Sequence, residues 1–91
     1  MEITAKLLLA KEVQEISPTF SKREVIVETT DSQYPQEIQL EFHGDRTDLI
    51  DSYNIGDTLK FSINLRGRKF EKIGEPTRWF NSIICWRVEK V

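Results

Sequence analysis

The chain has 91 residues and a net charge of −2, which bounds it to one domain, residues 1–91, with room for a modest core. Its single cysteine, Cys85, excludes an internal disulfide framework, and no apolar run is long enough to span a bilayer. The start carries Glu2 and no extended apolar stretch, so it does not read as a secretory leader; a cytoplasmic protein with no membrane partner is expected.

Residues 1–16 read as a long first strand. Ile3, Ala5, Leu7 and Leu9 alternate with Thr4, Lys6, Leu8 and Ala10, the period of two that buries one face. Val13 and Ile16 continue the apolar signal after a bend at Lys11-Glu12. Ser17-Pro18-Thr19 is a turn, because Pro18 fixes its own φ and restricts Ser17. Phe20 follows at the tip beside Lys22 and Arg23, placed either to bind a ligand or to pack over the ends of the strands. Residues 24–29 form a second strand of strong β formers, and Asp31 to Pro35 is a turn by composition. In the third strand, residues 36–43, Ile38, Leu40 and Phe42 alternate with Gln39, Glu41 and His43.

Residues 45–53 are the one helix candidate. Asp45 can cap it, Asp48 falls in its first turn, and Leu49, Ile50 and Tyr53 make a short apolar stripe. Gly56, free to take positive φ, ends it. The fourth strand follows: Leu59, Phe61, Ile63 and Leu65 alternate with Lys60, Ser62, Asn64 and Arg66. A fifth strand, residues 79–88, is rich in aromatic and β-branched residues. Residues 67–77 between them read as a loop bracketed by Gly67, Gly74 and Pro76. Trp79 and Trp86 fall on opposite faces of the fifth strand if it is regular, with Trp86 alongside Ile84 and Val88.

Charge is divided unevenly between the halves. Residues 59–91 hold eight Lys/Arg against three Glu, a balance of +5, while residues 1–58 hold five against twelve Asp/Glu, a balance of −7. The positive part is concentrated on the last hairpin. There Lys60, Arg66, Arg68, Lys69, Lys72 and Arg78 interleave with Phe70, Trp79 and Phe80. Cations meet phosphates and rings stack on bases, so this ribbon suits a single nucleic-acid strand. Six residues are the candidates for contact: Lys60, Arg66, Arg68, Phe70, Arg78 and Trp79, with Trp79 the preferred stacking platform. Glu28 and Glu41 would repel a strand that strayed over the second and third strands.

Strand, strand, strand, short helix, strand, strand is the plan of an all-β, five-stranded OB-fold barrel with one short helix between strands three and four. Another small five-stranded barrel and an open meander are the rival plans. From the third strand onward the chain resembles bacterial single-stranded DNA-binding proteins. The stretches that carry this are residues 38–45, Ile55-Gly56-Asp57-Thr58-Leu59, Leu65-Arg66-Gly67-Arg68 and Arg78-Trp79. Over its whole length it is similar to a little-characterised family of small single-OB-fold bacterial proteins of Bacteroidetes type. The likeness lies in the opening Met1-Glu2-Ile3-Thr4, in Arg78-Trp79-Phe80-Asn81 and in Trp86-Arg87-Val88-Glu89. The first resemblance implies strand binding in the barrel groove and oligomerisation.

No Gly-rich phosphate loop is present, and His43 is the only histidine, with no neighbour legible for a catalytic set. Asp45, Asp48 and Asp51 fit a helix cap and a wet face better than a metal site, so no enzyme, metal or cofactor is expected. Two function classes remain. One is a single-stranded nucleic-acid binder, DNA first, with little sequence preference. The other is a protein-interaction or homo-oligomerisation module, whose candidate patch is Ile26, Ile84 and Trp86.

Overall fold

The structure, a computed structural model, describes residues 1–30 and 33–91. Six strands form one sheet: β1 (Glu2–Ala10), β2 (Gln14–Ser17), β3 (Phe20–Thr29), β4 (Glu37–His43), β5 (Thr58–Phe70) and β6 (Arg78–Lys90). The pairing runs β1–β5–β6–β4–β3 and returns from β3 to β1, so five strands close on themselves. Every pairing is antiparallel except β4 with β6, which touch in parallel at the single pair Glu41 and Ile84. The short β2 hangs from the start of β3. The expected first strand is thus two pieces, broken at Lys11, Glu12 and Val13 where the bend was read. Of the expected turn at residues 31–35, Asp31 and Ser32 lie outside the described residues. Beyond it, hydrogen bonds from Thr29 N–H to Gln36 O (3.0 Å) and from Gln36 N–H to Thr29 Oγ1 (3.0 Å) close the connection from β3 to β4.

Alternation places Ala5 and Leu7, Val25 and Val27, Leu40 and Phe42, and Leu59, Phe61 and Ile63 inside, with Cys85 from β6. Ile3, expected to be buried, is half-buried and packs against this core. Two bulges correct the simple pattern. On β1 the register to β3 skips Leu8, so the phase flips: Leu9 turns out to solvent and Ala10 packs against the core. On β6 the register skips Trp86, which throws Val88 onto the same side as Cys85 and Ile83 and leaves Trp86 to the outside. Burial pushes the Cys85 thiol up to about 11.

The helix segment is two 3-10 turns, Gly44–Arg46 and Leu49–Ser52. Their N-cap positions are His43 and Asp48, neither of which makes a side-chain cap among the described residues, and Asp45, expected to cap, lies inside the first turn. Other contacts hold the segment. Ile50 is buried, Leu49 and Tyr53 pack on the core, and Tyr53 Oη donates to Val88 O at 3.2 Å. Arg23 on β3 staples it from outside, donating to Thr47 O (3.2 Å) and to Asp51 Oδ1 (2.8 Å). Gly56 takes φ of +96°, and its N–H donates to Leu7 O at 2.8 Å, tying the segment's end to β1.

The last hairpin is longer than the sequence suggested. Residues 67–70, read as loop, continue β5, because each finds an antiparallel partner on β6, from Asn81 back to Arg78. β1 leaves β5 at Ser62, and β6 meets β4 only at Ile84. Beyond those points the β5–β6 ribbon has no further strand beside it among the described residues. Residues 64–70 and 78–81 are exposed on both faces. Leu65, expected inside, is 65% exposed for this reason: its alternation is right, but the core stops at Ile63. The arm stretches the molecule to 47 × 36 × 19 Å, with a radius of gyration of 14.6 Å. A compact chain of this length would have roughly 12 Å.

Candidate nucleic-acid interface

Directly opposed residues of an antiparallel ladder share a face. Arg66 lies opposite Ser82, Arg68 opposite Phe80, and Phe70 opposite Arg78. One face of the arm therefore carries Arg66, Arg68, Arg78, Phe70 and Phe80. Phe70 and Phe80 meet edge to face, with ring centroids 6.3 Å apart and planes at 76°. The Arg68 guanidinium lies 6.0 Å from the Phe80 ring centre. Arg66, Arg68 and Arg78 form no ion pair among the described residues, so their charge is open to a ligand.

Two of the six expected residues do not join this face. Trp79 lies opposite Lys69 on the reverse side of the ribbon, with Leu65 and Ile83, and is 67% exposed. Adjacent residues of a strand point to opposite faces, so the choice of Trp79 over Phe80 was a choice of side. Lys60 sits at the barrel end of β5, about 20 Å along the strand from Arg66. Its ammonium is shared between Glu2 (3.4 Å) and Glu89 (3.8 Å), so its charge is already met. Lys22 and Arg23 are also occupied, by Glu24 and Glu41 and by Asp51 respectively.

The groove has a second wall on β4. His43, Arg66, Arg68, Phe80, Ser82 and Ile84 line an open depression of about 490 Å³. A neighbouring one of about 510 Å³ opens where β4 and β6 part. Arg66, Gly67 and Ser82 border both. His43 was legible only as a lone histidine. It earns its place through folding: its ring packs edge-on against Phe20 at 5.0 Å, and Nε2 donates to Glu41 Oε1 at 3.1 Å. Burial tends to raise the Glu41 carboxyl, but hydrogen bonds from His43 and Ser82 and the charge of Lys22 outweigh it and hold it below the usual carboxylate range. Glu28 lies away from this groove, on β3 between Lys6 and Glu37. The Ile26, Ile84 and Trp86 patch is not assembled either: Ile84 is buried, Ile26 half-buried, and only Trp86 opens to solvent.

A closed five-stranded barrel with a helical segment between its third and fourth barrel strands, and with a long hairpin leaving it, is an OB-fold. Residues 2–89 match the family described as a domain of unknown function, DUF3127, and the chain belongs to that family. No curated protein matches it. Among solved structures, the mitochondrial single-stranded DNA-binding protein Rim1 from S. cerevisiae is similar in fold. The TM-score is 0.71 at 10% identity, over 100% of this chain and 92% of that one.

Proposed function

We propose that this protein binds single-stranded nucleic acid, DNA foremost, along the cationic and aromatic face of the β5–β6 arm. The carrying observation is the gathering of Arg66, Arg68 and Arg78, none ion-paired among the described residues, with the Phe70–Phe80 ring pair on one face. The arginines offer planar donors to phosphate oxygens, and the two rings offer bases a surface to stack on. The arm's face reads backbone and base faces, so its own contacts depend little on base order. Two supports stand beside the geometry. The fold is shared with a protein named for binding single-stranded DNA. The chain's acidic excess lies in residues 1–58, which precede the arm in sequence.

The test is fluorescence anisotropy of a labelled mixed-sequence single strand at low salt, beside the same sequence as duplex. The single strand should bind, and the duplex should bind more weakly because its bases are already stacked. No binding of the single strand would end the reading.

A second reading, an interaction module or homo-oligomer, is favoured by the reverse side of the arm, where Leu65 and Trp79 are each about two-thirds exposed. Pairing copies would also raise the effective concentration of sites on one strand. Light scattering over a dilution series tests it; a strict monomer at high micromolar concentration would remove it.

A further inference from the structure

We propose that the pocket between β4 and β6 selects among bases, favouring those with an exocyclic amino group over uracil and thymine. The proposal rests on the strand-binding reading: Arg66 and Ser82 of the arginine face also border this pocket, so a base of a bound strand can turn over the edge of the ribbon into it. The pocket is an open cavity of about 510 Å³ beside Arg66. Leu65 and Ile83, from the reverse side of the ribbon, give it an apolar bed, and Gln39, Glu41, Asn81 and Ser82 a polar border. An apolar bed with a few convergent polar groups is how proteins hold planar heterocycles.

Glu41 decides the preference. A carboxylate near a strand repels phosphates, so a site built only for backbone would not keep one in its wall. Hydrogen bonds to His43 and Ser82 hold it ionised, and an ionised carboxylate can only accept. Its two oxygens have about four acceptor positions; His43, Ser82 and Lys22 take three at most, and one remains for a ligand. The base edge that satisfies it is an amino group: N4 of cytosine, N6 of adenine, or N1 and N2 of guanine. Uracil and thymine would set their O4 against the carboxylate. Their N3–H could turn toward it only with O4 and O2 flanking the same charge. Asn81 sharpens the match. Its amide makes no side-chain hydrogen bond among the described residues, and it can donate to cytosine N3 or O2 while Glu41 accepts from N4.

Oligo-dC and oligo-dU of equal length isolate this edge, since the two differ only at N3 and C4. Anisotropy titrations at neutral pH and low salt should find oligo-dC bound about tenfold or more tightly. In Glu41→Gln the amide can both donate and accept, so the ratio should fall toward one, mainly by tighter oligo-dU binding. Equal wild-type affinities for the two oligomers would overturn the base preference and leave strand binding standing. Failure to bind either oligomer, or a mixed sequence, would overturn both. The wild-type ratio needs no variant, so misfolding of Glu41→Gln would not rescue the proposal. Displacement of the strand by free cytidine monophosphate at micromolar concentration would assign the pocket to a free nucleotide instead, and overturn it.

Discussion

Replacing Phe80 by Ala should weaken strand binding far more than replacing Trp79 by Ala, although Trp79 is larger and more exposed. Phe80 lies opposite Arg68 on the arginine face, and about half of its surface is open to a base. Stacking of one base on an aromatic ring contributes roughly 1–3 kcal/mol, so its loss alone weakens binding about five- to 150-fold. The actual loss should lie in the upper part of that range, since Phe70 and Arg68 both rest on the same ring. Trp79 faces the other way with Lys69 and Leu65, and its replacement should change affinity by less than about threefold. Both variants lie where the ribbon is exposed, so neither should alter the barrel's circular dichroism or melting temperature appreciably. Anisotropy titration of a labelled single strand measures the two side by side. If Trp79→Ala costs as much as Phe80→Ala, or more, the assignment of the binding face is wrong.

Lys60→Ala should leave affinity nearly unchanged, because Glu2 and Glu89 already hold that ammonium; a loss comparable with Arg66→Ala would return Lys60 to the site. Phe61 is fully buried, so Phe61→Ala should cost about 3–5 kcal/mol, read by urea denaturation, and a loss below about 1 kcal/mol would contradict the core assignment. The folded Cys85 thiol titrates near 11, above its ordinary 9.0, so the folded state keeps its proton longer than the unfolded chain. That contribution is whole below pH 9 and is lost as pH rises toward 11; stability should decline over that window, and less so in Cys85→Ala. The thiol should react with a thiol reagent only on unfolding, and rapid reaction of the native protein would contradict its burial.

Much of the barrel was legible because its core obeys a period of two. Leu59, Phe61 and Ile63, or Leu40 and Phe42, need only alternation to be placed. The misplacements share a cause: alternation does not say where a bulge resets the phase or where the body ends. Leu9 and Val88 moved because of bulges on β1 and β6. Leu65 keeps the phase of Ile63 yet stands beyond the last neighbouring strand. Two arginines of the candidate site, Arg66 and Arg68, could be read as a cluster because they alternate within one strand. The β4 wall could not, since His43 and Glu41 reach the groove only through the long-range pairing of Glu41 with Ile84. Placing Phe80 rather than Trp79 on the arginine face required the cross-strand register, which a single strand's sequence does not contain.

The salt dependence of single-strand affinity tests the central claim most directly, measured for the wild type and for the triple variant Arg66→Ala, Arg68→Ala, Arg78→Ala. Each phosphate contact on a single strand contributes a slope of about −0.7 in log affinity against log salt. Three arginines free of ion pairs among the described residues should therefore give the wild type a slope near −2 or steeper, and the triple variant should lose about two units of it along with most of its affinity at low salt. Equal slopes for the two proteins, or a wild-type affinity indifferent to salt, would contradict a strand held on the arginine face of the arm.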